Sequence, residues 1–592
     1  FGLSWNVGST TAHGTFTVTD SFEVDIPLAE VAANPAKNWD GKSLPKYGDG
    51  TLILSAANTY SGDTTVSGGT LKLTDTGSLT NNANVIVEGG GIFDLSGKLS
   101  TGNITIKNGA FFNITGTELT VNGMTDVQSG GTLDLVNHSG LLDLGPSSSL
   151  RNAGLVRLNN PSSVGNTLKV GAYEGDDGTQ ALNTVLGGDD SLTDKLHVTG
   201  NVTGSSLLAI TNVGGTGAQT VNGIQVVQVG GQSAGKFFLA SSLRAGLYEY
   251  FLTKGNDGSW YLTSLLQASV PSIEAQRINA ETGFLQLANL SQRVGEHRDL
   301  PLELQSWART YRSQGSEDGK RGFGYDQDTT GVQVGHELLA KSTGNGGTLR
   351  AAIAFDYART DADFNDRARP ALNQDKDTGS VKAESYALGA YLTHTTANGA
   401  YVDLVVQTAK LHNDFTTKKT GEPHDKATQK GWRAGFSLEG GYPLWKIDNA
   451  WLLEGQAQLS YQYTKYQGFK DATFKVDKYD ADTLRGRIGA RLVRDLTTAE
   501  NKPLKLYGLV NVHHDFLKPE SVTFVNLNDG GSTPVSERYG KSWGELGVGI
   551  QGWADKSTSV FGDVRYQHGF SSPDKGDARE GGSVNVGARF RF

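Results

Sequence analysis

Apolar and polar residues alternate along much of this chain, but the alternating stretches are short in its first half and long in its second half. In the first half, an apolar–polar–apolar triplet begins at residues 52, 71, 93, 112, 133 and 156, at intervals of 19, 22, 19, 21 and 23 residues. Glycine and asparagine turns separate the triplets. A period of about 20 residues indicates a solenoid, in which each turn buries its apolar side chains only against neighbouring turns.

This repeat predicts a parallel β-helix, and an antiparallel sandwich is the alternative. The hairpins of a sandwich would not hold so regular a period. In a β-helix the outer two residues of each triplet point into the stack, because successive strand side chains alternate between faces. The middle residues then face outward: Lys72, Asp94, Asn113, Asp134 and Arg157.

After about residue 302 the alternating stretches lengthen, as in Trp451–Tyr463. About twelve stretches begin near residues 302, 329, 347, 382, 399, 429, 450, 482, 503, 541, 558 and 583. Their length suits tilted strands that cross a bilayer, and an even number places both ends on one side. We predict a closed barrel with short turns such as 397–399 at one end and long polar loops at the other, at 361–379, 413–430 and 520–538.

Charged residues lie on the face of these strands opposite the apolar one. A soluble sandwich is the alternative, since its charged face would contact water. The apolar faces, however, cover nearly every strand and end in aromatic residues. In a membrane barrel the apolar band faces lipid and the charges line the lumen. The last strand ends on Phe590 and Phe592, and we expect it to close the barrel against the first strand.

A helix is predicted between the two halves, from Pro271 to Gly295, because proline and glycine mark helix boundaries. Its charged residues are spread around the helix, so it would not lie in lipid. We predict that it plugs the lumen, where Glu274 and Glu281 would pair with an arginine ladder on one strand: Arg485, Arg487 and Arg491. A free amphipathic surface helix is the alternative.

Composition excludes several classes of protein. The chain has 592 residues and no cysteine. It contains no run of about 18 apolar residues, so the sequence predicts no transmembrane helix. The net charge of -9 argues against a nucleic-acid partner. We find no metal-ligand spacing, no phosphate-binding loop and no catalytic motif; the stretch Gly187–Ser191 only superficially resembles a serine-protease motif. We therefore expect no cofactor and no enzymatic site.

Two stretches of the first half carry specific motifs: residues 48–73, "GDGTLILSAANTYSGDTTVSGGTLKL", and the stretch that ends at Ser264. The first looks like the passenger-associated strand repeat of the monomeric type V autotransporters. The second resembles the pertactin-like module that caps the exported passenger in that family. The resemblance implies a right-handed β-helix for residues 1–165 and an autochaperone cap for 166–266. It implies a linker helix for 267–300, a translocator barrel for 301–592, and missing residues before Phe1.

The resemblance also implies partners and a possible processing site. The aromatic end, Phe590 and Phe592, resembles the signal read by the outer-membrane barrel assembly machinery. Some autotransporters cut themselves between two asparagines inside the pore; the matching pair here is Ala288 and Asn289, so the attacking amide is absent. The exported part would act in adhesion, self-association or biofilm formation at the surface of a Gram-negative cell. The alternative is a stalk for an enzyme encoded before Phe1.

Overall fold

The computed structural model describes residues 13–298, 302–419, 423–447, 450–555, 557–570 and 578–591. The chain divides into two compact units, residues 1–266 and residues 267–592. Both units consist mainly of strands, and each is described by itself. The finer domain boundaries given above stay predictions.

In the first unit, parallel strands stack so that equivalent triplet positions of successive turns lie side by side. Leu52, Leu71, Phe93 and Phe112 are paired in this order, and Leu133 and Val156 continue the column. All six side chains are buried. The rings of Phe93 and Phe112 stack with their centroids 4.8 Å apart. The predicted β-helical repeat is confirmed, and the sandwich alternative is wrong.

The middle residues of the triplets form a second column on the outside of the stack. Lys72, Asp94, Asn113, Asp134 and Arg157 occupy consecutive paired positions. The Asn113 amide donates to Asp94 over 2.6 Å, and Arg157 pairs with Asp134 over 3.1 Å. Side chains on the outer face are therefore linked from turn to turn.

Parallel stacking continues beyond residue 166, although the short period ends there. Tyr173 pairs with Val202 and Ser206 with Phe237, so each turn has grown to 29 and 31 residues. In the last part of the unit, Trp260–Leu266 runs antiparallel to both Tyr248–Lys254 and Ile224–Val229. Longer turns reach further around the stack but keep the same strand pairing. The cap therefore continues the solenoid and ends in antiparallel strands.

Two sheets hold the strands of this unit from residue 13 onward, and a 3-10 helix lies at Pro35–Lys37. The larger sheet comprises Phe16–Thr17, Ser21–Val24, Leu44–Tyr47, Thr51–Leu54, Ala57–Asn58, Thr64–Val66, Gly69–Leu73, Ser78–Val87, Gly91–Leu95, Lys98–Ile106, Phe111–Ile114, Leu119–Val121, Met124–Val127, Thr132–Asp134, Ser149–Asn152, Leu155–Arg157, Ala172–Thr184, Val202–Asn212 and Lys236–Leu239. The smaller sheet comprises Leu141–Asp143, Thr167–Val170, Lys195–Val198, Ile224–Val229, Leu243–Ala245, Tyr248–Lys254 and Trp260–Leu266.

Within the described residues of the second unit, twelve antiparallel strands close into a barrel. They are Gln305–Asp318, Phe323–Thr343, Gly347–Asp366, Asp377–Thr395, Tyr401–Thr417, Asp425–Ile447, Trp451–Tyr466, Tyr479–Thr497, Pro503–Asp515, Ser542–Trp553, Thr558–Gly569 and Arg579–Arg591. The last strand pairs with the first, with Arg591 opposite Gln305. The predicted barrel and its strand number are confirmed.

The predicted long loops are shorter than expected, because the strands continue into them. In the first of these loops, one strand continues to Asp366 and the next begins at Asp377. Residues 520–538 contain two further strands. Beyond the lipid no apolar face is needed, so alternation disappears from the sequence while backbone pairing continues. Four short strands from two loops form a separate sheet: Phe469–Lys470, Phe474–Val476, Val522–Asn526 and Ser532–Val535. Two 3-10 helices lie at Gly344–Gly346 and Arg369–Leu372.

The two ends of the barrel differ in their connections. We call the end with the turn at residues 396–400 the turn end, and the end with residues 516–541 the loop end. Several aromatic side chains inside the barrel lie across glycines of the neighbouring strand. A Cβ atom on Gly335 would come within 2.1 Å of the Trp307 ring, and one on Gly441 within 2.0 Å of the Tyr401 ring. Glycine at these positions therefore makes room for the ring beside it.

Candidate functional site: the occupied barrel lumen

The segment that precedes the first barrel strand lies inside the barrel. It forms a 3-10 helix, Val270–Glu274, followed by helix α1, Ala275–Leu287, and helix α2, Leu290–Val294. α1 contacts the barrel strands between residues 323 and 466, and α2 contacts the first and last strands. Among the described residues, no helix combines the length and the apolar character needed to cross a bilayer. The predicted helix in the lumen is confirmed, and the free surface helix is wrong.

The structure corrects the prediction of one continuous helix, because the helix is broken after Leu287. Ala288 has a φ of 50° and a ψ of 179°, which no α-helix contains. Asn289 then starts α2 as its N-cap: its side-chain oxygen accepts from the backbone N–H of Gln292 over 2.9 Å. An asparagine cap competes with continuation of the preceding helix, because it satisfies the free N–H groups of a new one.

Polar side chains of the helix are buried against polar side chains of the barrel wall. Glu274 and Gln286 are fully buried. The Gln286 amide donates to Asp356 over 2.8 Å, and its oxygen accepts from the Ser385 hydroxyl over 2.9 Å. Buried polar groups are costly unless they are paired, so this matching specifies how the helix sits in the lumen.

Glu281 is the centre of the ion-pair network between helix and wall. Arg485 donates to its carboxylate over 2.5 and 3.0 Å, and Arg579 over 2.9 and 3.1 Å. Arg277 of the same helix lies 3.4 Å away, and Arg485 also bonds to Asp515 over 2.7 Å. Removing one member of a buried network leaves its partners uncompensated, which is strongly destabilising.

The other two arginines of the ladder meet different partners. Arg487 pairs with Glu439 over 3.0 Å and bonds to Gln456 over 2.9 Å, both on the barrel wall. Arg491 lies 3.3 Å from Glu454 and 3.4 Å from Glu296. Glu296 follows the predicted end of the helix at Gly295, so the sequence pattern gave no reason to select it.

The structure does not bring Glu274 to the arginine ladder. The Glu274 carboxylate instead accepts a hydrogen bond from the Tyr539 hydroxyl. Glu274 precedes Glu281 by seven positions, which places it about 10 Å further along the helix axis, toward the loop end. The pairing expected for Glu274 is therefore corrected, while Glu281 does lie against Arg485.

Gly283 of α1 leaves space for the buried side chain of Arg433, which comes from the barrel wall. A Cβ atom on Gly283 would lie 2.7 Å from the Arg433 guanidinium carbon and 1.9 Å from the Gln462 oxygen. Arg433 donates to the backbone oxygen of Asn279 over 2.8 Å and to the Gln286 side chain. Glycine lowers helix stability, and one inside a helical pattern often has a packing reason. That signal was available in the sequence.

The predicted degenerate cleavage position lies at the helix break. Ala288 and Asn289 border a cavity of about 90 Å³. The Gln458 amide donates to the Ala288 carbonyl over 3.0 Å, and the Leu290 backbone N–H donates to Glu439 over 2.9 Å. Wall residues therefore hold the backbone on both sides of this position. Whether it is a processing site stays a prediction.

The predicted assembly signal comprises two aromatic residues, Phe590 and Phe592. Phe590 lies on the last barrel strand, paired with Ser306 and Thr558, and its side chain is exposed on the barrel. Phe592 lies outside the described residues. Their role as a signal stays a prediction.

In the stretch Gly187–Ser191 of the first unit, Asp189 fixes the backbone of residues 221–223 by hydrogen bonds. The Asp189 carboxylate accepts backbone N–H groups of Asn222 over 2.8 Å, and of Gly223 and Val221 over 2.9 Å. These bonds, that of Asn222 first, hold the pKa of Asp189 below its usual value. Among the described residues, no group of three or more His, Asp or Glu side chains is arranged to hold a metal ion.

Three protein-family models match different parts of the chain. The model described as Autotransporter beta-domain matches residues 306–565. Autochaperone Domain Type 1 matches residues 147–252, and the Passenger-associated-transport-repeat matches residues 44–73. The first match falls within the barrel, and the other two fall within the solenoid unit.

Curated relatives include proteins named as adhesins and one named as a protease. The Adhesin BmaC autotransporter of Brucella suis biovar 1 (strain 1330) is 29% identical over 670 positions, covering 95% of this chain and 18% of that protein. The Autotransporter adhesin AIDA-I of Escherichia coli is 26% identical, with coverage of 69% and 33%. Serine protease EspP of Escherichia coli is 25% identical, with coverage of 58% and 26%.

The chain thus spans at most a third of each of these three relatives. The matches nevertheless cover both units, and the β-domain match coincides with a closed barrel that holds a polar helix. The barrel is therefore an autotransporter β-domain, and the solenoid unit carries modules that match autotransporter passengers.

Proposed function

We propose that the barrel inserts in the outer membrane, exports the solenoid of the same chain and keeps it at the cell surface. The observation that carries this proposal is the occupied lumen: the segment that joins the solenoid to the first barrel strand lies inside the closed barrel. A pore through which the chain has passed would retain such a segment. The polar wall suits a polar polypeptide, because charged groups of the segment find partners there, as Glu281 does in Arg485 and Arg579.

For the exported part, we propose adhesion or self-association. Two of the relatives named above are adhesins, and the outer column of the solenoid presents Asp, Asn and Arg side chains at regular spacing. The second candidate is a stalk that carries an enzyme encoded before Phe1, and the relationship to a serine protease favours it. Further repeats before Phe1 would favour adhesion, and a compact domain with a catalytic triad would favour the stalk.

We also propose that the outer-membrane barrel assembly machinery recognises the last strand through Phe590 and Phe592. Replacing Phe592 by Asp should sharply lower the amount of barrel that shows heat-modifiable migration in electrophoresis. Replacing the exposed Val548 by Asp provides a control, since it places the same charge on another strand. Equal loss in both variants would indicate a general lipid-face defect and count against the signal.

Export can be tested with an epitope inserted between the exposed residues Val213 and Gly214 of the solenoid. Intact cells that make the whole chain behind a secretion signal should bind the antibody. Cells that make a chain without residues 579–592 should lose this binding, because the barrel cannot close. Antibody binding to intact cells without a closed barrel would contradict export through it. Adhesion is tested separately, by comparing the settling of these cells with cells that display residues 267–592 alone.

A further inference from the structure

A cavity of about 410 Å³ opens at the loop end of the barrel, beside the start of the lumen helix. Cationic side chains dominate its lining, which also includes Asp515, Leu517, Pro519, Tyr539 and Gly540. The cationic residues are Arg277, Lys320, Lys518, Arg538 and Lys541. In a chain with a net charge of -9, this is a local excess of positive charge.

The carboxylates at the cavity are already engaged elsewhere. Asp515 pairs with Arg277 over 2.6 Å and with Arg485 over 2.7 Å. The neighbouring Glu537 accepts backbone N–H groups of Arg321 over 2.8 Å and of Phe323 over 3.3 Å. The carboxylate of Asp515 therefore pairs with the buried Arg277 and Arg485 and not with Lys518, Arg538 or Lys541.

Three of the cations are exposed and available. Lys518, Arg538 and Lys541 all lie on the connection between the strands that end at Asp515 and begin at Ser542. Within the described part of the chain, none of these three side chains forms an ion pair with a carboxylate. A concave site lined by charges of one sign attracts ligands of the opposite sign.

This connection is held in place by the rest of the barrel. The Gln276 side chain of α1 exchanges two hydrogen bonds with the backbone of Glu520, over 3.0 and 3.2 Å. The backbone N–H of Lys320 donates to the Arg538 carbonyl over 2.8 Å, and that of Asp515 donates to the Lys541 carbonyl over 2.8 Å. The backbone that carries the cations is thus ordered before any ligand arrives, which lowers the entropy cost of binding.

We propose that this cavity is a binding site for a compact ligand that carries two or more phosphate groups. Its volume is that of a small-molecule site. Ammonium and guanidinium groups form charge-assisted hydrogen bonds with phosphate oxygens, and several of them around one cavity favour more than one phosphate. Such a ligand is either a soluble phosphorylated molecule or the phosphorylated headgroup of a lipid in the surrounding membrane.

Calorimetry with inorganic pyrophosphate tests the site, using the whole chain purified in a neutral detergent. The parent protein should bind one pyrophosphate, more weakly as salt is added. Exchange of Lys518, Arg538 and Lys541 for Gln should lower the affinity about tenfold or more. The matched control exchanges Lys470, Lys475 and Lys478 for Gln; these exposed residues lie at the same end of the barrel, outside the cavity, and their exchange should leave the affinity unchanged.

The two sources of phosphate are separated by repeating the titration in phosphatidylcholine vesicles with and without phosphatidylinositol 4-phosphate, whose headgroup carries two phosphate groups. If a lipid headgroup occupies the site, pyrophosphate binding falls only in the vesicles that contain this lipid. If the ligand is soluble, binding is equal in both. No pyrophosphate binding by the parent protein, or equal loss in both triple variants, would overturn the proposal. Heat-modifiable migration of all three proteins verifies that each barrel is folded.

Discussion

The solenoid and the barrel are built from strands with the same alternation of apolar and polar residues, but they bury opposite faces. In the solenoid, the side chains of Leu71 and Phe93 are 0% exposed. In the barrel, Leu388 is 58% and Ile488 66% exposed, while Arg491 is only 1% exposed. A parallel stack encloses its own apolar column, whereas a closed barrel leaves that column to the lipid and encloses the charges. The direction of burial is thus set by how the strands close, and not by the alternation.

The polar faces differ in the same way. On the solenoid, the pair of Arg157 and Asp134 lies partly in water, where an ion pair contributes little. In the lumen, Glu281 and Arg485 are buried, and each loses water that only its partners replace. Polar links on the solenoid are therefore replaceable, whereas those in the lumen are coupled.

The largest expected effect is cleavage of the chain between the solenoid and the first barrel strand. The parent chain should remain in one piece, and Ala288→Asn should cut it after residue 288, because the asparagine amide can attack its own carbonyl to form a five-membered succinimide. Denaturing electrophoresis should then show two fragments of nearly equal mass. Ala288→Gln is the matched control, since its longer side chain cannot form that ring. An uncut Asn variant with a folded barrel would contradict the prediction.

Truncating one buried leucine of the solenoid should lower stability more than truncating one lipid-facing leucine of the barrel. Leu71→Ala should lower the free energy of unfolding of the solenoid by about 2–5 kcal/mol, because a cavity replaces the side chain. Leu388→Ala in the barrel should cost less than about 1 kcal/mol, because lipid fills the space. Denaturant dependence of amide exchange, measured on peptides from each unit, gives both values. Similar losses at the two sites would show that the barrel face is packed like a protein core.

Weakening the lumen network should open the pore. Replacing Arg485, Arg487 and Arg491 by Ser removes one of the two wall arginines that pair with Glu281 and the wall arginine that pairs with Glu296. The helix should therefore loosen, and single-channel conductance in planar bilayers should rise severalfold. Exchange of the exposed Arg312, Arg359 and Arg494 for Ser serves as the control and should leave conductance unchanged. Unchanged conductance in the lumen variant would show that this network does not hold the plug.

The smallest expected effect concerns pH and only the solenoid. Burial lowers the pKa of the His13 side chain below its usual value of 6.5, although its hydrogen bond to the Lys42 carbonyl opposes this. The unfolded state therefore binds the proton more readily, and stability falls as the pH drops below 6.5. Amide exchange of strand Leu44–Tyr47, corrected for intrinsic rates, should speed up at acidic pH. His13→Phe should remove this dependence, and its persistence in that variant would assign it to another group.

The local sequence pattern determined the strands of both regions. Leu71 and Phe93 could be assigned to one buried column, because a repeat of nearly constant length brings equivalent positions together. The twelve barrel strands and their outward faces followed from alternation, which depends only on near neighbours in sequence and on the medium. Strand ends in the polar loops could not be predicted, because alternation stops where both faces meet water.

Only the tertiary structure decided the contacts of the lumen. The pairing of Glu281 with Arg485 was predicted from charge alone, but Glu274 meets Tyr539 and Arg491 meets Glu296. These partners depend on the height of each residue along the barrel axis and on the break at Ala288, which no local pattern encodes. The sequence shows which residues carry a charge, and a buried charge needs a partner. The position of the closed wall around the helix determines which partner it is.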